Sequence, residues 1–526
     1  MTPFIRCLSS AALLASGLLA SCQQPAATTG TASAALVIAN PVVPGDFPDP
    51  SVVKVGDTYW ATATTSNWGP VFPLLSSKNL TDWKLVGHVF PGERPDWADY
   101  YFWAPEISQD GGKTYVFYSA HKRGGNLAVG VASAPRPEGP YTDHGPLVGQ
   151  PAGSIDGFPM RDENGQLYLI WKEDGNSVQQ PTPIWAQRLN DARTALVGEK
   201  TELFRNDPAT WEGNLVEGVS IVRHEGYFYA FYAGNGCCGR GCTYATGVAR
   251  AKTLLGPWEK HAGNPILLNN DTWKCPGHGT ALEHQGRWYM LHHAYEAGSH
   301  EFAGRQGVLS EFEWTAAGWP AFRGKSTPVA APAIVARASA VADEFTGRTL
   351  DLAWQWPVEY RPTFAVSGGQ LRLTARPDHS GAALGRSTTA AAYTATTTLL
   401  NPGTLAGACA GLAAHGDPDN TLMLVASVGK VQLLQLEKGQ TKTLAEASLP
   451  TTKALELRLQ ARKGSEFTFA WRPTGSTNWQ TLPVAGTAVD GRFLPPWDRG
   501  VRVGVVAQGA PTAVAAFENF TLTAQP

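Results

Sequence analysis

The sequence predicts an all-β protein, a five-bladed β-propeller followed by a β-sandwich, and three observations carry that prediction. A Gly-x-x-Tyr pattern that continues into a short aromatic or β-branched run occurs at Gly56–Tyr59, Gly112–Tyr115, Gly165–Tyr168, Gly226–Tyr229 and Gly286–Tyr289. The copies recur roughly every 50 to 60 residues, a spacing suited to propeller blades, and no 3.6-residue periodicity is sustained that would make a helical repeat. Beyond Pro320 the repeat stops. Strictly alternating segments such as Leu455-Glu-Leu-Arg-Leu459 and Val501-Arg-Val-Gly-Val505 then read as half-buried antiparallel strands.

Composition agrees. With 526 residues the chain exceeds a single core, and its 56 Gly, 38 Pro and 18 Trp suit a turn-rich, aromatic β protein. A net charge of −2 with 16% charged residues offers no basic stripe to a nucleic-acid backbone, so no nucleic-acid partner is expected.

Taken in order, residues 1–22 read as an export signal. Arg6 precedes an apolar run from Leu8 to Leu19 that is too short to span a bilayer. The run ends in Leu19-Ala20-Ser21-Cys22, similar to the bacterial lipobox, which makes Cys22 the expected lipidation site. Residues 23–37 form a low-complexity tether, 38–325 the propeller, 326–342 an Ala/Pro-rich linker and 343–526 the sandwich. The expected location is the bacterial cell envelope or surface, with membrane contact only through the lipid. Cys237, Cys238, Cys242 and Cys275 fall in one region; in an oxidising compartment they predict a disulfide-stiffened loop rather than a metal site, with the pairing left open.

Each repeat is preceded by one polar residue among Gly, Pro and small neighbours: Asp49, Glu106, Asp156, Glu217 and His278. An isolated Asp beside Pro is ordinarily a turn former. Five such residues in common phase are different, because the first strand of each blade lines the channel. Acids crowded there raise one another's pKa, as acid catalysis requires. Cleavage of a glycosidic bond needs a protonated carboxyl at the leaving oxygen and a carboxylate on the other face of the sugar. Trp103 could stack on a sugar ring; Trp68 and Trp211 are weaker candidates.

The ordered set Asn40-Pro-Val-Val-Pro-Gly-Asp-Phe-Pro-Asp-Pro-Ser-Val52, Trp103-Ala-Pro-Glu106, Ile155-Asp-Gly157, Val216-Glu-Gly218 and Gly277-His-Gly279 resembles glycoside hydrolase family 43 from about Asn40 to Pro320. The resemblance implies an inverting, exo-acting or debranching hydrolase of arabinose-, xylose- or galactose-containing glycans. By position it implies Asp49 as general base, Asp156 as pKa modulator and Glu217 as general acid, with Arg305 near the sugar hydroxyls and Glu106 lining the pocket. His278 matches a channel histidine that in many members helps hold calcium or water; the chemistry itself requires no cofactor. Asp343-Glu-Phe345 with Leu350–Trp356 is similar to the start of the concanavalin-like C-terminal domain of family 43 β-xylosidases, expected to brace the propeller or close one side of the pocket. Two rival readings are a retaining fructan-hydrolase-like propeller and a non-catalytic glycan-binding surface lipoprotein.

Overall fold

A computed structural model describes residues 36–323, 340–484 and 486–525. Cys22 and the export signal, the tether up to residue 35 and most of the linker lie outside the described residues. Among those described, no helix is long and apolar enough to cross a membrane.

Five four-stranded antiparallel sheets follow one another between Ser51 and Phe322. The innermost strands are Ser51–Val55, Trp103–Asp110, Ser154–Arg161, Val216–His224 and Trp273–His284. The five Gly-x-x-Tyr copies form the hairpins that lead into the second strands, where buried aromatic and β-branched residues suit a surface covered on both faces. Apolar side chains meet between neighbouring sheets. Trp60, Phe72, Val116 and Tyr118 join the first two blades, and Phe117, Val129, Leu169 and Trp171 join the second to the third. The ring is closed from the N-terminal side: Val43 exchanges backbone hydrogen bonds with Gly307 at 3.1 and 2.9 Å, and the Asn40 amide pairs with both backbone groups of Leu309.

The innermost strands are irregular in a shared way. Ladder register breaks between Trp103 and Glu106, Ile155 and Phe158, Glu217 and Ser220, and Lys274 and Gly277. At or beside these breaks the backbone turns left-handed, at Ala104 (φ 44°), Asp156 (φ 59°), Gly218 (φ 63°) and Cys275 (φ 56°), and in the first blade at Asp49 (φ 50°). Such bulges aim side chains away from the sheet surface, and non-glycine residues with positive φ persist only where surrounding contacts hold them.

The C-terminal region packs a nine-stranded sheet on a six-stranded one. Its core-building strands alternate: in Ala454–Arg462 buried residues alternate with half-buried ones along the strand. The two regions share a short ladder, Trp356–Pro357 pairing with Trp68–Gly69 of the first blade. This corrects one expectation. Trp68 is buried under the Arg502 guanidinium, 5.4 Å from its ring, and serves the interface rather than a sugar. Trp211 likewise packs on Tyr232 inside the fourth blade.

Candidate active site

The bulges bring Asp156, Glu217 and His278 to one cavity of about 470 Å³, where they meet Asp49, from just before the first strand, together with Trp103, Arg305 and Lys172. Residues from five blades thus share a space that no stretch of chain could assemble alone. Glu106 is not among the lining residues; in its blade Trp103 and Ala104 reach the cavity instead.

Asp49 is held as a carboxylate. Its Oδ1 accepts from Arg305 Nη1 at 2.9 Å and its Oδ2 from Thr64 Oγ1 at 2.7 Å, while its backbone N–H donates to His293 Nδ1 at 3.1 Å. Burial opposes ionisation, but the Arg305 guanidinium and the adjacent histidines outweigh it and hold the carboxyl well below the usual range. His293 itself is kept neutral by burial, at about 4. Thr64 Oγ1 also accepts the Ala104 N–H at 2.7 Å, so one hydroxyl fixes both the first carboxylate and the bulge of the next blade.

Asp156 is tuned in the opposite direction. Burial, with the Glu217 carboxylate nearby, pushes its carboxyl up to about 6. Its Oδ2 accepts the Gly218 N–H at 2.8 Å and its own N–H donates to Ser119 Oγ at 3.0 Å. Glu217 is gripped by two donors, Lys172 Nζ to Oε2 at 2.6 Å and Tyr244 O–H to Oε1 at 2.9 Å. Lys172, only 1% exposed, donates also to Asp174 Oδ1 at 2.8 Å, and these two carboxylates keep its ammonium charged against the cost of burial. His278 closes the chain of contacts: Nδ1 lies 3.6 Å from Asp49 Oδ1, and its ring packs so tightly on Gly218 that a Cβ there would sit 2.7 Å from Cγ. The Glu-Gly pair is therefore a packing requirement as much as a turn.

A structural calcium beside His278 would take six to eight oxygen ligands, water among them. Both Asp49 oxygens are engaged by Arg305 and Thr64. Among the described residues no group of three or more His, Cys, Asp or Glu is placed to hold a metal.

One wall comes from the second region. Trp497, 52% exposed, lies edge-to-face with Trp103 at 5.7 Å. Asp498, almost fully buried, accepts from Trp103 Nε1 at 3.1 Å and Ser66 Oγ, and its carbonyl accepts from Arg305 Nη2 at 2.9 Å. The expected closing of one side of the pocket by the sandwich is therefore seen, through the loop 497–501. Tyr101, Cys237 and Cys238 complete the wall, with disulfides Cys237–Cys238 and Cys242–Cys275.

Thr64, Lys172, Tyr244, His293 and Asp498 were not singled out by the sequence. Lys172 had a usable signal: it ends the apolar run Tyr168-Leu-Ile-Trp-Lys172, and a lysine buried in such a strand needs an acid partner. Asp498 had none.

Known proteins sharing these features are consistent with one another. The model for glycosyl hydrolases family 43 matches residues 38–320, and that for the β-xylosidase C-terminal concanavalin A-like domain matches 342–523. A xylan 1,3-β-xylosidase from a Vibrio species is 28% identical over 354 residues, covering 60% of this chain and 64% of that protein. The non-reducing end α-L-arabinofuranosidase BoGH43B of Bacteroides ovatus is 27% identical over 363 residues, 64% of each. Matches to the xylosidase relatives span 48% to 67% of their length. The crystal structure of the GH43 BlXynB protein from Bacillus licheniformis is similar at 26% identity with a TM-score of 0.79, over 93% of this chain and 100% of that one. A bulged five-bladed ring, its acids in one cavity, a concanavalin-like companion and a family match across 38–320 lead to the same statement: the chain belongs to glycosyl hydrolases family 43.

Proposed function

We propose that this chain is an inverting glycoside hydrolase that releases xylose or arabinofuranose units from the non-reducing ends or side branches of glycans. The observation that carries the reading is the gathering of three carboxyl groups, from three blades, in one cavity with opposite tuning of Asp49 and Asp156. Asp49, locked as a carboxylate by Arg305, takes a proton from the attacking water. Glu217 delivers a proton to the leaving oxygen, and Asp156, bonded to the Gly218 N–H, orients Glu217 and adjusts its proton affinity. Trp103 and Trp497 offer aromatic faces to the sugar. The pentose preference follows the names of the relatives above; a galactoside remains in the substrate screen. The lipobox at Cys22 and the disulfides support a place outside the cell, on a lipid anchor.

The test compares wild type with Glu217→Gln on 4-nitrophenyl xyloside, arabinofuranoside and galactoside, and on the corresponding alkyl glycosides. Loss of the acid lowers kcat by about 10²- to 10⁴-fold on poor leaving groups and far less on nitrophenol, which needs no proton. Background release from both proteins on every substrate would leave a glycan-binding protein. NMR of the first-formed sugar shows the inverted anomer; the retained anomer would favour the fructan-hydrolase-like alternative.

A further inference from the structure

Cys237 and Cys238, adjacent in sequence and joined to each other, line the same cavity as Asp49, Asp156 and Glu217. Their loop is held firmly. Cys242 is tied to Cys275 on the innermost strand of the last blade, the Gly239 N–H donates to Tyr295 O–H at 3.1 Å, and Arg240 pairs with Glu301. Cys237 packs with Leu215, Tyr244 and Tyr295, the cluster that positions the hydroxyl on Glu217. On its other side Arg305 Nη1, the atom that binds Asp49 at 2.9 Å, lies 3.8 Å from Cys237 Sγ. The sulfurs therefore stand one contact away from the machinery at both carboxyls, half-buried and facing the space a sugar must fill.

We infer that the Cys237–Cys238 disulfide is a specificity-determining wall of the sugar subsite, an apolar plate against the C–H face of the bound pentose. This rests on the glycosidase reading above. Joined sulfurs carry no S–H donor, are polarisable, and cannot rotate apart, so they offer dispersion contact without a competing polar group. Reduction replaces the plate by two independent thiols. With dithiothreitol the step balances: two electrons and two protons pass from the dithiol to the S–S bond, giving two protein thiols and the cyclic disulfide of the reagent.

The experiment measures KM and kcat for 4-nitrophenyl xyloside and arabinofuranoside with oxidised wild type, dithiothreitol-treated wild type, and Cys237→Ala/Cys238→Ala with and without dithiothreitol. Alkylation and peptide mass report the state of every cysteine. The variant raises KM about tenfold with kcat changed much less. Reduction brings wild type to the same KM and leaves the variant unmoved, which separates this effect from any reduction of Cys242–Cys275. Free thiols at 237 and 238 in the air-oxidised protein, a variant KM equal to wild type, or a fall in kcat at constant KM would each overturn the inference. Should the variant fail to fold, wild type decides at the dithiothreitol concentration where alkylation shows Cys237 and Cys238 free and Cys242–Cys275 still joined. If wild type releases no nitrophenol, the activity reading fails separately; tryptophan fluorescence titration with free xylose and arabinose, before and after reduction, then tests the wall without turnover.

Discussion

The innermost strands of the propeller and the strands of the sandwich use the same backbone pairing for opposite ends. Tyr393–Leu400 runs beside Ala454–Arg462 through an unbroken ladder, and Leu455, Leu457 and Leu459 are fully buried in alternation. Four of the five strands at the centre of the propeller break register once or twice, and three of them place Asp156, Glu217 and His278 at the breaks. A regular strand can only alternate two faces, so it makes a core. A bulge spends local stability to aim one side chain elsewhere, and here four blades aim theirs at one cavity. The sandwich likewise joins the site outside its regular strands: its contribution comes from the loop 497–501.

The sharpest way to break this contrast is one substitution in each setting. Asp156→Asn, at a bulge, lowers kcat by about 10²-fold or more while the melting temperature stays within a few degrees of wild type. Leu457→Ala, in a regular strand, costs about 2–5 kcal/mol of stability and leaves kcat near wild type below the melting range. Rate assays with thermal unfolding on both variants check it; a large stability loss for the first or a large kcat loss for the second would erase the distinction.

The join between the regions comes next. Asp46 and Arg502, both side chains 2% exposed, form an ion pair at 2.8 Å, and Asp46 also accepts from the Gly500 N–H at 3.0 Å. Asp46→Ala leaves a buried guanidinium without its partner and costs about 3–5 kcal/mol in denaturant unfolding. Double substitution with Arg502→Met recovers much of that, because the unpaired charge goes with it. A smaller effect is expected at Asp498, which holds Trp103 and Ser66 from across the interface. Asp498→Ala lowers kcat/KM about tenfold, chiefly through KM, as the loop 497–501 loosens against the pocket.

The bulge residues were legible because the sequence marks them twice, by the Gly-x-x-Tyr repeat and by a polar residue in constant phase before it. That phase also misled at Glu106, since it fixes a position in the blade but not the direction a side chain takes after the register break. Trp68 misled for another reason: a tryptophan in a surface loop of the propeller looks free until the sandwich, hundreds of residues later, covers it. Lys172 was readable in principle from its apolar strand. Asp498 was not, because apart from Arg499 beside it its partners lie on the other region. Local rules reach as far as the blade, and contacts between distant regions lie beyond them.

The smallest effect is expected at Glu106. It lies on an innermost strand just past a register break, yet outside the catalytic cavity, and burial pushes its carboxyl well above the usual range. In the folded protein it therefore keeps its proton at pH values where the unfolded chain, near 4.5, has lost it. Between those limits the native state binds more protons than the unfolded state, so this group's contribution to stability is complete below about 4.5 and drains away as pH rises. Glu106→Gln removes the titration while keeping the shape. The melting temperature of the variant minus that of wild type is expected to grow as pH rises above 4.5, with kcat changed little because the side chain does not line the cavity. A difference that stays flat with pH, or shrinks as pH rises, would mean that Glu106 is ionised in the fold and answers to a neighbour as Asp49 answers to Arg305.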